Sequence, residues 1–291
     1  MLRKTIIIAE VGECWNGNIE EAKMLIKLSA RAGCDYVKFQ TLDSETIKDS
    51  DPEKCWFEKI ALTDQNIGFI INFAIKNGIK PLFTPANLKK ARLLKEKFKL
   101  SDVKIASSVS HDLETVKYIA KHFKRIFMST GMNSLGELKN KVNLFNKKVH
   151  ELYLLHCISE YPTGPLLARD GLKALNEHDV HLNMMIILKK MFPGFKVGYS
   201  DHTVGLLASI CAVSAGAEVI EKHVTLNRKK PISIYKSGKG YLGTDHVLSI
   251  EPAELAELVK LIRQIEKIFG KMKWERTQGE NILKEFLVGR F

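Results

Sequence analysis

The chain has 291 residues, 45% of them apolar, enough to bury one large core, and no apolar run reaches the roughly 20 residues a membrane span requires. Lysine and arginine outnumber aspartate and glutamate by 45 to 33, a formal charge of +12. The basic residues are interleaved with apolar ones along helical stretches such as 87–99 and 139–148, the pattern of solvated helix faces, so no nucleic-acid partner is expected.

In chain order, the start MLRKTIIIAEVGE has a basic pair and a short apolar run that Glu10 and Glu13 interrupt. That is too short for a signal peptide and fits a buried strand over 5–9 in a cytoplasmic protein. Amphipathic spacing predicts a helix over 19–32, closed by Gly33, then a strand over 35–39. A helix over 64–77 ends at Gly78 before a strand over 80–84. Further strands fall at 103–106, 125–129, 151–157, 196–200 and 218–223, with helices at 113–122, 134–146, 203–215 and 252–269. Eight strand–helix repeats have the count and size of an α/β (β/α)8 TIM barrel over residues 1–270. A doubly wound open sheet is the competitor, and the absence of G-x-G-x-x-G after the first strand counts against it. Residues 271–291 read as a basic, irregular tail, either packed across the barrel or a linker stump. Cys14, Cys34, Cys55, Cys157 and Cys211 are scattered with no C-x-x-C pair, as free, mostly buried thiols would be.

In such a barrel the reacting groups sit at the C-terminal strand ends, and here those ends are unusually polar. They carry Glu10, Lys38 with Gln40, Thr84, Lys104 with Ser107 and Ser108, Ser129, His156-Cys157, Ser200-Asp201-His202, and Glu221-Lys222-His223. His202 and His223 close consecutive strands and can converge on one Mn²⁺ or Mg²⁺, with Asp201, Glu221 and Asp245 as nearby carboxylates. A structural zinc would need four protein ligands, and two hydrogen-bonded histidines without metal is the bland alternative. Lys38 and Lys104, with Thr84, Ser107, Ser129 and Ser200, suit a small phosphate ester that is also a carboxylate. An imine-forming lysine is the rival reading.

These segments resemble the sialic acid synthase family, in the order that family shows them: AEVG (Glu10), VKFQT (Lys38, Gln40), FTP (Thr84), VKIASS (Lys104, Ser107), MSTGM (Ser129), LLHC (His156), YPT (Tyr161), YSDHT (Ser200, His202), EKHVTL (Glu221, His223) and GTDH (Asp245). The match runs from about residue 5 to 255, and YSDHT followed by EKH is its most specific part. The resemblance implies condensation of phosphoenolpyruvate with an open-chain N-acetylmannosamine-type aldehyde, giving a nine-carbon 2-keto acid and phosphate. Carbon three of the enolpyruvate attacks the aldehyde, and water adds at carbon two before phosphate leaves. By family position Lys38, Gln40, Thr84, Lys104, Ser107, Ser129 and Ser200 would hold phosphoenolpyruvate. Ser159 and Tyr161 would also contact substrate, metal would sit on His202 and His223, and Glu10, Glu221 and Asp245 would serve the chemistry.

The departures cluster on the sugar side. Cys14-Trp15 stand for the family's Asn-His, Val109 for an acidic residue and Ser159 for an Asn, and the antifreeze-like domain is not found. The expectation is retained chemistry on a different aldehyde, with a homodimer as the default assembly. A 3-deoxy-octulosonate or heptulosonate phosphate-type synthase, a catalytically weak barrel and an unrelated barrel enzyme such as an aldolase remain as alternatives.

Overall fold

A computed structural model describes residues 4–51, 54–145, 151–160, 175, 177–229, 232–233, 240–241, 244–271 and 273–290. All eight predicted strands form: β1 (Ile6–Glu10), β2 (Tyr36–Thr41), β3 (Lys80–Pro85), β4 (Asp102–Ile105), β5 (Arg125–Ser129), β6 (Glu151–His156), β7 (Lys196–Asp201) and β8 (Val219–His223). They pair in parallel in the order β3-β2-β1-β8-β7-β6-β5-β4. β3 and β4 lie side by side to bring the sheet nearly full circle. The expected (β/α)8 barrel is therefore present.

The helices are α1 (Ile19–Ala32), α2 (Lys54–Ile60), α3 (Asp64–Lys76), α4 (Leu88–Arg92), α5 (Leu113–His122), α6 (Leu135–Val142), α7 (Asn183–Met191), α8 (Leu207–Ser214), α9 (Thr244–Leu248), α10 (Pro252–Phe269) and α11 (Gln278–Leu287). Local chemistry sets their ends. The Asn18 side chain accepts the Glu20 N–H at the start of α1, and Gly33 closes it at φ 88. α6 begins in a Ser134/Glu137 capping box. No helix among the described residues is long and apolar enough to cross a membrane.

Strand alternation divides the core in two. Ile8, Tyr36, Leu82, Phe127, Tyr153, Leu155 and Val219 point inward and plug the lumen. Their outward neighbours, among them Ile7, Val37, Val103, Ile126, Val197 and Ile220, pack with Leu25, Ile67, Ile119, Leu138 and Leu258 in one larger cluster under the helices. Each such fully buried side chain stabilises by about 1.5–3 kcal/mol. The lumen plug is the floor on which the polar strand ends rest.

Two expectations need correction. The helix expected over 203–215 starts only at Leu207, because Thr203 bends back so that its N–H and hydroxyl both donate to Asp201 Oδ1, at 2.8 and 2.7 Å. The tail is not irregular: α11 starts in a Thr277/Glu280 capping box, a signal present in the sequence. Nor is this stretch packed across the barrel, since every residue from Lys273 to Arg290 is exposed.

Candidate active site at the C-terminal mouth

The parallel register levels the polar residues. Glu10 stands opposite Lys38 on one side and His223 on the other, and Ser200 stands opposite Glu221. All five are buried. Above the lumen plug they surround a cavity of about 160 Å³, lined also by Gln40, Lys104, Ser107, Ser108, Ser129, Met132, Cys157, Ser159 and His202.

Glu221 is the hub. Its Oε1 lies 3.3 Å from Lys104 Nζ and 3.7 Å from Lys38 Nζ, and accepts the Ser200 hydroxyl at 2.9 Å. Burial would raise its proton affinity, but Lys104, Lys38 and Ser200 outweigh that and pull the carboxyl down to about 2. Burial, aided by Lys104 and opposed by Glu221, pulls the Lys38 ammonium down to about 8. Lys38 also pairs with the Glu10 carboxylate, whose Oε1 accepts the Gly12 N–H at 2.6 Å. Lys104 Nζ donates to Ser129 Oγ at 2.7 Å. Among the described groups, Glu221 Oε2 and Thr84 Oγ1 are buried without a hydrogen-bond partner.

His202 follows β7 and His223 ends β8, with ring centroids 5.4 Å apart and planes 61° apart. His202 Nδ1 lies 3.1 Å from the Ile158 carbonyl, which favours the tautomer with its lone pair on Nε2. His223 Nδ1 is 3.6 Å from Asp245 Oδ2. Burial, reinforced by His202, Lys38, Lys222 and Lys104, keeps His223 well below the usual imidazole range, and therefore neutral. For His202 burial pulls downward, and Cys157, Asp245 and Glu221 outweigh it, leaving the imidazole raised. Asp245 is raised by burial against the opposing Glu13 N–H, His202 and Lys38.

Glu13, which sequence reasoning overlooked, holds Asp245 in a reciprocal clasp. The Glu13 N–H donates to Asp245 Oδ2 at 3.1 Å, and the Asp245 N–H donates to Glu13 Oε1 at 2.9 Å. Trp56 Nε1 donates to Glu13 Oε2 at 2.6 Å. On the opposite wall Ser159 Oγ donates to Ser107 Oγ at 2.7 Å, with Gly131 beneath: a Cβ there would meet these oxygens at 2.3 and 2.8 Å. Cys157 also lines the wall. Burial raises its thiol, but His202, Ser159 and Lys104 bring it down to about 7.

Most predicted site residues therefore converge, and the exceptions follow from strand alternation and chain path. Thr84 and Asp245 are buried at the same level but not on the cavity wall. His156 turns outward, its Nε2 2.7 Å from the Val180 carbonyl, so Cys157 rather than His156 faces the site. Tyr161 lies outside the described residues. Trp15 and Val109, expected on the sugar side, are buried in the helix-facing cluster, and Cys14 packs its sulfur 3.5 Å from Ser249 Oγ; none lines the described cavity. A larger depression, about 740 Å³, opens at the opposite end of the barrel. There Arg125 pairs with both Glu151 and Asp102, with Arg125 Nη2–Glu151 Oε2 at 2.5 Å, Lys196 also pairs with Glu151, and this end of a barrel carries stability rather than chemistry.

The chain matches the NeuB family over residues 25–274. It is 36% identical to the N,N'-diacetyllegionaminic acid synthase of Campylobacter jejuni over 311 residues, covering 99% of this chain and 86% of that one. It is 26% identical to the human N-acetylneuraminate-9-phosphate synthase, covering 91% of this chain and 71% of that one. The crystal structure of the N-acetylneuraminic acid synthetase of Leptospira borgpetersenii in complex with citrate superposes with a TM-score of 0.83 at 30% identity, over 97% of this chain and 91% of that one. By matched length, identity and fold, the chain belongs to the NeuB family.

Proposed function

We propose that this protein condenses phosphoenolpyruvate with a sugar aldehyde, forming a sialic-acid-like 2-keto-3-deoxy sugar acid and releasing phosphate. The observation that carries the reading is the pairing of Lys38 and Lys104, two buried ammonium groups on one small cavity, with the imidazole pair His202 and His223 on its rim. Two cations and the hydroxyls of Ser107, Ser129 and Ser200 form a receptor for a compact anion bearing both phosphate and carboxylate. Gln40 and Ser159 add polar groups on the same wall. The related legionaminate and neuraminate-phosphate synthases support the 2-keto sugar acid as product class.

The same residues fit a divalent cation. Among the described residues no three His, Cys, Asp or Glu side chains meet closely enough to hold an ion unaided. Two imidazoles, one of them neutral, with the Asp245 carboxylate 3.6 Å from His223, make a partial donor set suited to Mn²⁺ or Mg²⁺ that leaves positions for water and substrate oxygens. A divalent ion, if bound, would be held by His202 and His223 and would supply Lewis acidity toward a carbonyl oxygen.

Every other task falls to the chain. Lys38 and Lys104 fix the anion, and their charges keep Glu221 ionised. Glu221 Oε2, buried without a hydrogen-bond partner among the described residues, is an acceptor that a water or a substrate hydroxyl could donate to. Asp245, its proton affinity raised by burial, lies behind the cavity wall and is the carboxyl suited to hold a proton beside the His223 imidazole. Glu10, anchored by Gly12 and Lys38, supplies fixed negative charge beside His223.

A phosphate-release assay pairing phosphoenolpyruvate with hexosamine, pentose and tetrose aldehydes, free and phosphorylated, tests the reading. Release that requires both substrates and a divalent ion is expected, with an aldehyde other than N-acetylmannosamine preferred. Turnover of N-acetylmannosamine alone at ordinary efficiency would remove the altered specificity. No release with any aldehyde, or borohydride trapping of substrate on Lys38 or Lys104, would overturn the reading.

A further inference from the structure

Behind the two histidines, on the outward faces of β7 and β8, Asp201 and Lys222 form an ion pair shut off from solvent, both at 0% exposure. They are register partners, and Lys222 Nζ lies 3.1 Å from Asp201 Oδ2. By alternation they point away from the cavity while their neighbours Ser200, Glu221 and His223 point into it. A buried pair of this kind is weak evidence for stability, since well-packed apolar residues of similar volume often serve as well. Here its bonds have a common target. Asp201 Oδ1 accepts the Thr203 N–H and the Thr203 hydroxyl, and Lys222 Nζ donates to the Thr203 carbonyl at 2.5 Å. Asp201 Oδ2 also accepts the Ser209 hydroxyl at 2.6 Å, tying the same carboxylate to α8. His202 is thus bracketed by Asp201 before it and by Thr203, held through both its N–H and its C=O, after it. Lys222 directly precedes His223, so the pair ties the residue before His223 to the turn that carries His202.

We propose that Asp201 and Lys222 are positioning residues, a cross-strand clamp that sets the distance and orientation of His202 relative to His223. The proposal rests on the metal reading above for its consequence, not for its geometry. Loss of the clamp lets the His202–Thr203 turn relax while the barrel core, held by its apolar clusters, stays folded.

The test uses the full chain with the double substitution Asp201→Asn/Lys222→Met, which removes both charges together and leaves neither one stranded. Ser209→Ala, which deletes one bond to Asp201, is the milder variant if the double one does not fold. Val213→Ala, a cavity in α8 outside the clamp, is the control for a general loss of stability. The readouts are Mn²⁺ affinity, from the free-ion electron paramagnetic resonance signal, and the ring ¹³C–¹H cross-peak of His202, assigned by its disappearance in His202→Gln.

In folded double variant we expect Mn²⁺ affinity weakened at least about 10-fold and the His202 cross-peak shifted or split. Ser209→Ala should show a smaller change of the same sense, and Val213→Ala should lower Tm with neither effect. Unchanged affinity with an unmoved cross-peak, or an equal loss in Val213→Ala, would overturn the clamp. If the parent itself binds no Mn²⁺, the metal reading fails and the cross-peak alone decides the clamp.

Discussion

Gly12 and Asp245 touch across the mouth of the barrel: a Cβ on Gly12 would stand 2.2 Å from Asp245 Oδ2 and 3.4 Å from Glu10 Oε1. Gly12 also has φ +51, which disfavours any side chain. Gly12→Ala should therefore push Asp245 aside, with a stability loss of about 1–3 kcal/mol and at least about a tenfold fall in kcat. KM for phosphoenolpyruvate should change less than kcat, because Lys104 and Ser129 stand away from this contact and only Lys38 is linked to it, through Glu10. Thermal melting and steady-state kinetics on the same preparation check both parts.

Lys104→Met removes the nearer cation from Glu221, 3.3 Å away and buried. Breaking a buried pair costs about 3–5 kcal/mol, here reduced because Lys38 also faces Glu221. We expect KM for phosphoenolpyruvate to rise at least about tenfold, one charge-assisted contact having gone. Adding Glu221→Gln should recover stability but not activity, as denaturant melts and kinetics would show.

The pH dependence has a definite sign. On the proposed function, phosphoenolpyruvate binding would need the Lys38 ammonium, and burial brings that group down to about 8. Affinity should hold below that pH and fall above it. Stability should move the other way: with the folded value below the ordinary 10.5, the unfolded chain holds more protons between about 8 and 10.5, so Lys38 adds stability as pH rises through that window. A KM that climbs on the alkaline side while Tm does not fall would separate the two effects.

Chelation should abolish activity, and Mn²⁺ should restore it in the parent but not in His223→Ala. Bound ion stabilises only the folded state, so about 100-fold excess over Kd should add about 2.7 kcal/mol to the parent. A Tm that ignores Mn²⁺ would rule out the site at His202 and His223.

Trp56→Phe deletes the indole N–H that donates to Glu13 Oε2. Losing that charge-assisted bond to a buried carboxylate costs about 1.5–3 kcal/mol and loosens the clasp on Asp245. The expected result is a lower Tm with kcat reduced more than KM.

Much of the site was readable because a barrel strand places its last inward residues at the mouth. Glu10, Lys38, Lys104, Ser129, Ser200, Glu221 and His223 lie at or beside the ends of short apolar runs, so position along the chain was enough to gather them. His156 shows the limit: its run ends in His-Cys, and only the pleat decides which of the two faces inward. Glu13 and Trp56 were illegible because Glu13 reaches Asp245 from the loop after β1 and Trp56 reaches Glu13 from α2, through bonds with no local spacing.

By itself the sequence determined the architecture, since strand and helix periods, closing glycines and capping residues are local signals. It also named the charges and imidazoles available for chemistry. Only the tertiary structure decided how they couple: Glu221 between two lysines, Asp245 in the grip of Glu13, Trp15 and Val109 turned into the core, and Asp201 and Lys222 joined behind the histidines. Those outcomes depend on register, alternation and burial across neighbouring strands, which bring together groups that no spacing along one segment can align.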